Sequence, residues 1–331
     1  MSRQKRTLLT VLALLLGSDG RALAQPFEEA GVRALGLGGA FVAVADDAAA
    51  AWWNPAGLAS GPFFNLILER QARRREPDPD PSRLARSAID QSVTGFALAT
   101  PPLGLSYYRT RYTAVPAAGE RIGRESGNTP VRSLVTHQTG VTLAHSLTSA
   151  LVVGSTLKFV RGVAAAGMEV EGGTGVVLDR AADLVGRATN RFDADLGIHW
   201  NAGALRAGLT VRHLAEPSFR AVDGQRFMLE RQARAGVALA LGAETTLSAD
   251  VDLTEQREDL AGRRVAVGIE RRWLPRFALR GGVRTTTRSE GERVFALGGS
   301  IAVRPGIWVD GFWSQGQDND SRWGVAGRVA Y

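Results

Sequence analysis

Alternation of apolar and polar side chains is the feature that most constrains what this chain can fold into. Beyond residue 60, a period of two residues recurs far more often than any helical pattern, which is typical of β-strands with one apolar face. From Phe192 to Trp200 every second residue is apolar, and the residues between them are polar or small. The stretches 205–212 and 247–254 repeat this scheme.

We count about fourteen such segments, each near the ~9 to 11 residues that cross a bilayer as a tilted strand. The predicted strands are 62–71, 91–99, 103–113, 132–145, 149–162, 192–200, 205–212, 231–241, 247–254, 262–272, 276–287, 293–303, 306–315 and 322–331. No stretch is apolar over the ~20 residues that a spanning helix needs. Any passage through a membrane must therefore use strands.

The connections between these segments alternate in length. The long ones are 72–90, 114–131, 163–189 and 215–230, and the tight ones include 101–102, 147–149 and 242–244. Outer-membrane barrels sort their loops in this way, whereas a soluble β-sandwich has no reason to do so. We therefore predict an all-β fold: a transmembrane antiparallel β-barrel of about 14 strands, formed by residues 61–331.

A closed sheet in lipid turns its apolar face outward, so the polar face of each strand lines the lumen. That face carries both signs of charge, which predicts a network of salt bridges rather than a ring of one sign. The predicted network comprises Lys158, Asp193, Asp195, His199, Arg206, Arg212, Arg234, Asp250, Asp252, Glu270, Arg280, Arg284 and Arg328. These charges either keep the interior polar and ordered or bind a ligand.

Residues 1–24 have the pattern of a secretory signal peptide. A basic start is followed by the apolar run 8–16 and by small residues at Ala22 and Ala24, which predicts cleavage after Ala24. A membrane anchor is the alternative, but the apolar run is short for one. The chain has no cysteine, which excludes disulfides, a thiol nucleophile and a lipid-carrying cysteine at the cleavage site.

The net charge of +7 includes four basic residues and one acidic residue of the predicted signal peptide, and the remainder is too small to indicate nucleic-acid binding. At the other end, a terminal aromatic follows alternating apolar residues, as in the insertion signal that the barrel-assembly machinery reads. The signal would comprise Trp323, Val325, Val329 and Tyr331. Both ends of the chain therefore predict a lipid-embedded protein of a Gram-negative type of outer membrane.

Residues 31–60 do not alternate and are rich in glycine and alanine. Within ADDAAAAWWNPAGL, we expect Asp46 to cap a short helical turn and Asn54-Pro55-Ala56-Gly57 to form a type I turn. Small residues suit a segment enclosed in a narrow space, where Asp46 and Asp47 could meet inward-facing arginines. We therefore predict that residues 25–60 form a plug inside the barrel.

The segment from Ala34 to Leu58 resembles the N-terminal hatch of the FadL-like outer-membrane transporters of long-chain fatty acids and aromatic hydrocarbons, and of the related PorV and TraF-like groups. The resemblance implies a fourteen-stranded barrel with a hatch on its periplasmic side. It also implies that substrate enters from outside, that hatch movement opens a path and that substrate leaves sideways through the wall. The hatch residues carried over are Gly36, Gly38, Gly39, Asp46, Asp47, Asn54, Pro55 and Gly57.

Two functions follow from this resemblance. The first is passive, hatch-gated uptake of hydrophobic small molecules, with Phe41, Trp52, Trp53 and Phe63 as candidate ligand contacts; packing against the barrel and an interfacial girdle are the alternative roles of these aromatics. The second is a PorV-like scaffold or shuttle that engages exported proteins through loops 72–90, 114–131 and 163–189.

An enzyme is not expected. The four histidines form no HExxH or comparable metal-ligand pattern, and no GxSxG nucleophile motif occurs. Residues 36–39 also lack the third glycine and the parallel-sheet context of a dinucleotide-binding motif. We predict no catalytic residue, no metal site and no cofactor.

Overall fold

The structure, a computed structural model, contains a closed antiparallel barrel of fourteen strands, as the sequence predicts. It describes residues 23–24, 29–76, 87–115, 128–170, 174–181, 184–255, 262–274, 276–287, 292–317 and 319–331. The barrel strands are β1 Asn65–Arg75, β2 Ala88–Thr100, β3 Leu103–Val115, β4 Asn128–Ser146, β5 Leu151–Val170, β6 Arg187–Ala202, β7 Leu205–Arg212, β8 Gln232–Leu241, β9 Thr245–Asp252, β10 Arg264–Trp273, β11 Phe277–Thr286, β12 Arg293–Arg304, β13 Ile307–Gly316 and β14 Ser321–Ala330. Each strand pairs with its neighbours in sequence, and β14 closes the barrel against β1.

The two faces of the wall differ as the alternation predicts. Outward-facing side chains such as Phe192 and Leu297 are 79% and 64% exposed, while the inward-facing Asp193 and Asp195 are buried. An apolar exterior and a polar interior are what a bilayer-spanning barrel requires, because only a closed sheet pairs all of its backbone groups in lipid. No helix among the described residues is long and apolar enough to cross a membrane.

Several strands differ in length from the prediction. Strands β4 and β5 contain 19 and 20 residues, so part of the predicted loops 114–131 and 163–189 is strand. Residues from the loops pack on the inner side of these strand extensions. Val177 and Leu178 of helix α3, Thr174–Ala181, share a buried cluster with Val131 of β4. Phe219, from the short strand Ser218–Arg220, lies in another such cluster, and these loop contacts could not be read from the strand pattern.

Residues 29–60, called the N-terminal segment below, lie inside the barrel. Every residue from 29 to 58 is buried except Arg33 and Asp46. The segment contains helix α1, Val32–Gly36, helix α2, Ala50–Trp53, and a 3-10 helix, Pro55–Ser60. It forms the largest part of the main apolar cluster together with inward-facing residues of the wall.

The predicted signal peptide lies mostly outside the described residues. Of residues 1–28, the structure describes only Leu23 and Ala24, which pair in parallel with the short strand Arg226–Met228. That strand pairs in turn with Ser218–Arg220. Cleavage after Ala24 stays a prediction.

Candidate functional site

A row of inward-facing glycines lines the wall where the N-terminal segment lies. The row comprises Gly104, Gly154, Gly197, Gly208, Gly236, Gly268, Gly282 and Gly298, of which Gly154 and Gly197, Gly208 and Gly236, and Gly268 and Gly282 are cross-strand partners. A Cβ atom at Gly282 would overlap the backbone of Leu37, and one at Gly154 would overlap that of Ala56. The backbone of the segment therefore packs directly on the backbone of the strands, which a larger residue would prevent.

The predicted hatch glycines have both conformational and packing roles. Gly38 and Gly39 adopt φ angles of +67° and +90°, which favour glycine. A Cβ at Gly36 would lie 3.2 Å from the Cα of Gly298. Gly57 faces the carbonyl group of Ala45 so closely that a side chain would overlap it.

Polar side chains of the wall bind backbone groups of the segment. The Asp250 carboxylate accepts hydrogen bonds from the amides of Phe41 and Val42, at 2.8 and 2.9 Å. The Asn65 side chain accepts one from the amide of Ala48 at 2.9 Å. A buried backbone amide needs an acceptor, so these wall residues replace the secondary structure that the segment lacks.

A second carboxylate of the wall holds the start of helix α1. Glu69 accepts hydrogen bonds from the amides of Gly31 and Val32, at 2.8 and 3.0 Å. Two positions further along β1, the Gln71 amide donates to the carbonyl of Glu29. Strand β1 is thus bonded to the segment that immediately precedes it in the chain.

Asn54 joins the segment to itself and to strand β6. Its side-chain amide donates to the carbonyl groups of Val42 and Ile198, at 2.9 and 3.1 Å. The predicted turn is the first turn of the 3-10 helix Pro55–Ser60, where the Gly57 amide donates to the Asn54 carbonyl at 2.9 Å.

The expected helix cap at Asp46 is wrong. Helix α2 has no side-chain cap, and Asp47 accepts a hydrogen bond from the amide of Ala49 at 3.0 Å. Asp46 binds Arg33 of the same segment, and this ion pair removes its carboxylate from the helix. Asp46 also lies within ion-pair distance of a barrel arginine, since its Oδ2 atom is 3.8 Å from Nη1 of Arg206.

Charged groups continue from Arg33 to the wall at the mouth formed by the short turns. Arg33 pairs with Glu270 at 2.8 Å, and Glu270 accepts a hydrogen bond from Arg280. Asp310 pairs with Arg328 at 2.9 Å and lies 3.8 Å from Arg280. We call Arg33, Glu270, Arg280, Asp310 and Arg328, with Asp46 and Asp47, the mouth network.

A cavity of about 610 Å³ opens beside the mouth network. It lies between the N-terminal segment and the ends of strands β1, β10, β11, β13 and β14. Its lining consists of Arg33, Asp46, Asp47, Ser60, Pro62, Asn65, Glu244, Glu270, Arg272, Leu274, Phe277, Ala278, Arg280, Trp308 and Arg328.

Glu29 binds three arginines nearer the long-loop end of the lumen. Its carboxylate lies 3.1 Å from Arg264 and 2.7 Å from Arg284, and it also pairs with Arg322. Burial alone would raise the pKa of Glu29, but these guanidinium charges hold it well below its usual range. The carboxylate therefore stays charged and ties the segment to β10, β11 and β14.

A further buried cluster lies where strand β7 ends. The Lys158 ammonium is 2.8 Å from Asp193 and 2.7 Å from Asp195, and the imidazole of His213 is 2.7 Å from Asp193. Burial and the Lys158 charge lower the pKa of His213, so the ring is neutral at pH 7. Asp193, Asp195 and His213 have the spacing of metal ligands. The ammonium, however, lies between the two carboxylates, so this group does not fit a metal site.

The predicted aromatic ligand contacts do not meet in one pocket. Phe41, Trp52 and Trp53 are buried within the N-terminal segment, with Phe41 and Trp53 in an edge-to-face contact of 6.0 Å between ring centroids. The Arg212 guanidinium lies 4.1 Å from the ring centroid of Trp52. Phe63 is 81% exposed and lies apart from these three.

The remaining predicted residues divide between lumen and exterior. Arg234 pairs with Asp252 at 2.6 Å, and His199 lies 3.0 Å from the carbonyl of Ala43. Trp323, Val325 and Tyr331 of the predicted insertion signal are exposed on the outside of β14 or just beyond it, and Val329 is partly exposed.

Sequence reasoning missed several residues that hold the segment. Glu29, Arg33, Asn65 and Glu69 were not among the predicted site residues, although each carries a polar side chain into the lumen. The alternation along β1 indicates that Asn65 and Glu69 share the inward face of the strand. This pattern is the feature of the sequence from which they could have been found. Their partners lie on another element, so spacing along the chain does not reveal them.

Comparison with solved structures places this architecture among known barrels. The monoaromatic hydrocarbon channel CymD matches with a TM-score of 0.64 and 12% identity, over 91% of this chain and 97% of CymD. The toluene transporter TbuX of Ralstonia pickettii matches with a TM-score of 0.62 and 15% identity, over 92% of this chain and 99% of TbuX. A FadL homologue of Pseudomonas aeruginosa matches with a TM-score of 0.63 and 10% identity, over 92% and 99% of the two chains.

This chain has the FadL-type fold. The match covers nearly the whole length of these proteins, and the fourteen strands of this chain form a closed ring. Residues 92–252, just under half of the chain, also match the family described as "F plasmid transfer operon, TraF, protein". No curated protein sequence matches the chain.

Proposed function

We propose that this FadL-type barrel is an outer-membrane channel for passive uptake of hydrophobic small molecules, fatty-acid-like or aromatic hydrocarbon, and that the N-terminal segment gates it. The proposal includes removal of residues 1–24 on export, assembly by the barrel-assembly machinery and residence in outer-membrane lipid. The names of the similar structures, which include hydrocarbon channels and toluene transporters, support this class of solute.

The observation that carries the proposal is how the segment is held. The barrel strands are hydrogen-bonded to one another in an unbroken ring, and the segment contributes no strand to it. Its attachments are polar contacts such as those of Asp250 and Glu69, and backbone packing on the glycine row. Such a segment can shift while the ring stays closed, which is the physical requirement for a gate.

Uptake of radiolabelled toluene and oleate by cells that lack their own uptake system tests the proposal. Expression of the protein should raise the rate above that of cells without it. Asn54→Ala, which removes bonds to Val42 and Ile198, should loosen the segment and raise the rate further. Thr113→Val is the matched control. It removes a side-chain hydrogen bond between two barrel strands, to Ser133, rather than one to the segment, so it should leave the uptake rate unchanged. Equal rates with and without the protein would overturn the proposal.

The family matched over residues 92–252 is described as a protein of the F plasmid transfer operon. This match supports a second candidate, which the resemblance to the PorV and TraF-like groups implies: a scaffold or shuttle for exported proteins. In that case the segment is a permanent plug and the outer loops are the contact surface. Native mass spectrometry of the protein from outer membranes separates the two functions. A retained hydrophobic molecule that is lost on Trp53→Ala supports uptake, whereas an empty barrel bound to an exported protein supports the scaffold.

A further inference from the structure

The cavity at the short-turn mouth has the size of a ligand site. Its volume of about 610 Å³ lies within the ~300 to 1,000 Å³ that is usual for small-molecule pockets. Short turns mark the periplasmic end of such barrels, so the cavity opens toward the periplasm. It is separate from the buried aromatic residues Phe41, Trp52 and Trp53, none of which lines it.

Two buried donors in the cavity wall have no hydrogen-bond acceptor among the described residues, although one of them, Nη1 of Arg280, lies 3.8 Å from the Asp310 carboxylate. The Nη1 atom of Arg280 and the Nδ2 atom of Asn65 make no hydrogen bond, although these residues are only 5% and 1% exposed. Buried donors nearly always find an acceptor in proteins. A ligand oxygen in the cavity would supply one.

The ion pairs of the lining leave one guanidinium, that of Arg272, available to an oxygen ligand. Among the lining carboxylates, Asp46, Asp47 and Glu270 are already paired with Arg33. Arg272 also lines the cavity, and in the described part of the chain it forms no ion pair. Glu244, in the turn between β8 and β9, also lines the cavity, and its carboxylate likewise forms no ion pair in the described part of the chain. The lining groups without an ion pair in the described structure are therefore one guanidinium and one carboxylate, and the donors without a hydrogen bond are Nη1 of Arg280 and Nδ2 of Asn65.

Apolar side chains complete the lining. Trp308, Phe277, Leu274 and Pro62 lie around the same cavity, and Phe277 and Leu274 are 43% and 66% exposed. An apolar rim beside charged donors matches a molecule that carries a charged oxygen group next to an apolar group.

We propose that this cavity binds a terminal carboxylate attached to an apolar group, with Arg280, Asn65 and Arg272 binding the carboxylate and Trp308 and Phe277 contacting the apolar part. The carboxylate belongs either to a small organic acid or to the C-terminus of a polypeptide. If the ligand is a fatty acid, the site rests on the proposed uptake function and adds a binding site at its periplasmic end; if the ligand is a polypeptide terminus, the site lies beyond that function. Because Arg280 also binds Glu270, occupancy of the site acts on the mouth network.

Isothermal titration of the wild-type protein in lipid nanodiscs tests the proposal. The probes are N-acetyl-phenylalanine and its amide, and decanoate and decanol, so that each pair differs only in the charged group. We expect the acids to bind roughly 10-fold or more tightly than their neutral partners, as for loss of a charge-assisted hydrogen bond. Preference for N-acetyl-phenylalanine identifies a polypeptide terminus, and preference for decanoate identifies an organic acid. An amide or alcohol that binds as tightly as its acid overturns the proposal.

Matched variants locate the binding. Arg272→Gln and Trp308→Ala should weaken binding of the preferred acid by roughly fivefold or more. Arg271→Gln and Trp313→Ala are the controls, since neither residue lines the cavity and each lies on the same strand as its test position. All four test and control positions are on the barrel wall, and folding of each variant is checked by heat-modifiable gel mobility. Equal loss in tests and controls would show that the acids bind elsewhere, which also overturns the proposal.

Discussion

Glu29 lies among three guanidinium groups that come from three different strands. One acidic side chain near the start of the N-terminal segment therefore balances charges at positions 264, 284 and 322. In the described part of the chain, these arginines form no other ion pair within 4 Å. Buried charges of one sign are costly without a counterion, so Glu29 holds both the segment and this part of the wall.

Glu29→Gln should weaken docking of the segment. Loss of one partner of a buried ion pair typically costs about 3–5 kcal/mol, because the remaining charges stay buried. The free energy of local opening, measured by hydrogen exchange of peptides from residues 29–44, should fall by about that amount. Glu255→Gln, at an exposed position, is the control and should leave exchange unchanged. Equal protection in both variants would contradict this role of Glu29.

Acidification should leave this contact intact over a wide range. The folded-state pKa of Glu29 lies well below its ordinary value. Its stabilising contribution is therefore fully present above the unfolded pKa of about 4.3 and is lost only as the pH falls through the lower folded-state value. The difference in local-opening free energy between the wild type and Glu29→Gln should therefore be the same at pH 7 and about pH 5. A difference that shrinks over this range would contradict a folded-state pKa of Glu29 below its ordinary value.

At the scale of elements, the N-terminal segment and the wall fit because neither has bulky side chains where they meet. Glycines at paired positions on adjacent strands bring two or more backbones close to the segment at once. Carboxylates and amides elsewhere on the same face then accept or donate the hydrogen bonds that its irregular backbone needs. On each of these strands, the glycines thus provide close backbone packing, and nearby polar residues provide the hydrogen bonds to the segment.

Gly154→Ala should destabilise the protein by about 1–3 kcal/mol, because the added methyl group would overlap the backbone of Ala56. Gly327→Ala is the control. Gly327 faces outward, and no atom lies within 4 Å of the Cβ that the substitution would add. Its effect should stay within about 0.5 kcal/mol. Urea unfolding in detergent micelles measures both, and equal effects would refute close docking at Gly154.

The strands could be predicted from sequence because lipid outside and polar groups inside impose a strict alternation on each of them. Composition and the resemblance predict a plug, and its role as a hatch stays a prediction; the Asn54 side chain donates hydrogen bonds to both the segment and the wall. The extra length of β4 and β5 could not be predicted, since it depends on packing by residues such as Phe219. The partners of Glu29 could not be predicted either, because they lie 235 or more positions away in sequence.

For the whole molecule, the apolar exterior should govern assembly. Leu297 is 64% exposed and lies near the middle of β12. Arginine at such a position costs about 2–4 kcal/mol near the bilayer midplane, so Leu297→Arg should reduce the folded fraction in vesicles. Leu297→Ala removes the same contacts without adding charge and serves as the control. The folded fraction is read from heat-modifiable gel mobility, and equal yields would contradict a lipid-facing position.

Deletion of residues 31–60 should leave an inserted barrel that leaks. The hydrogen-bonded ring does not include these residues, and the freed wall groups would face water in the lumen. Swelling of vesicles in small sugars should be faster than with the full chain, while heat-modifiable mobility is retained. An unfolded product would show that the segment is required for the wall itself.

The seam between β14 and β1 has a consequence for the order of biogenesis. The ring joins the first barrel strand of the chain to the last, so no enclosed compartment exists until Ser321–Ala330 is in place. The N-terminal segment precedes all of the barrel strands in the chain, and its partners Asp250 and Glu270 lie more than two hundred residues beyond the groups that they bind. The segment is therefore fully enclosed only when the last strand has paired with the first.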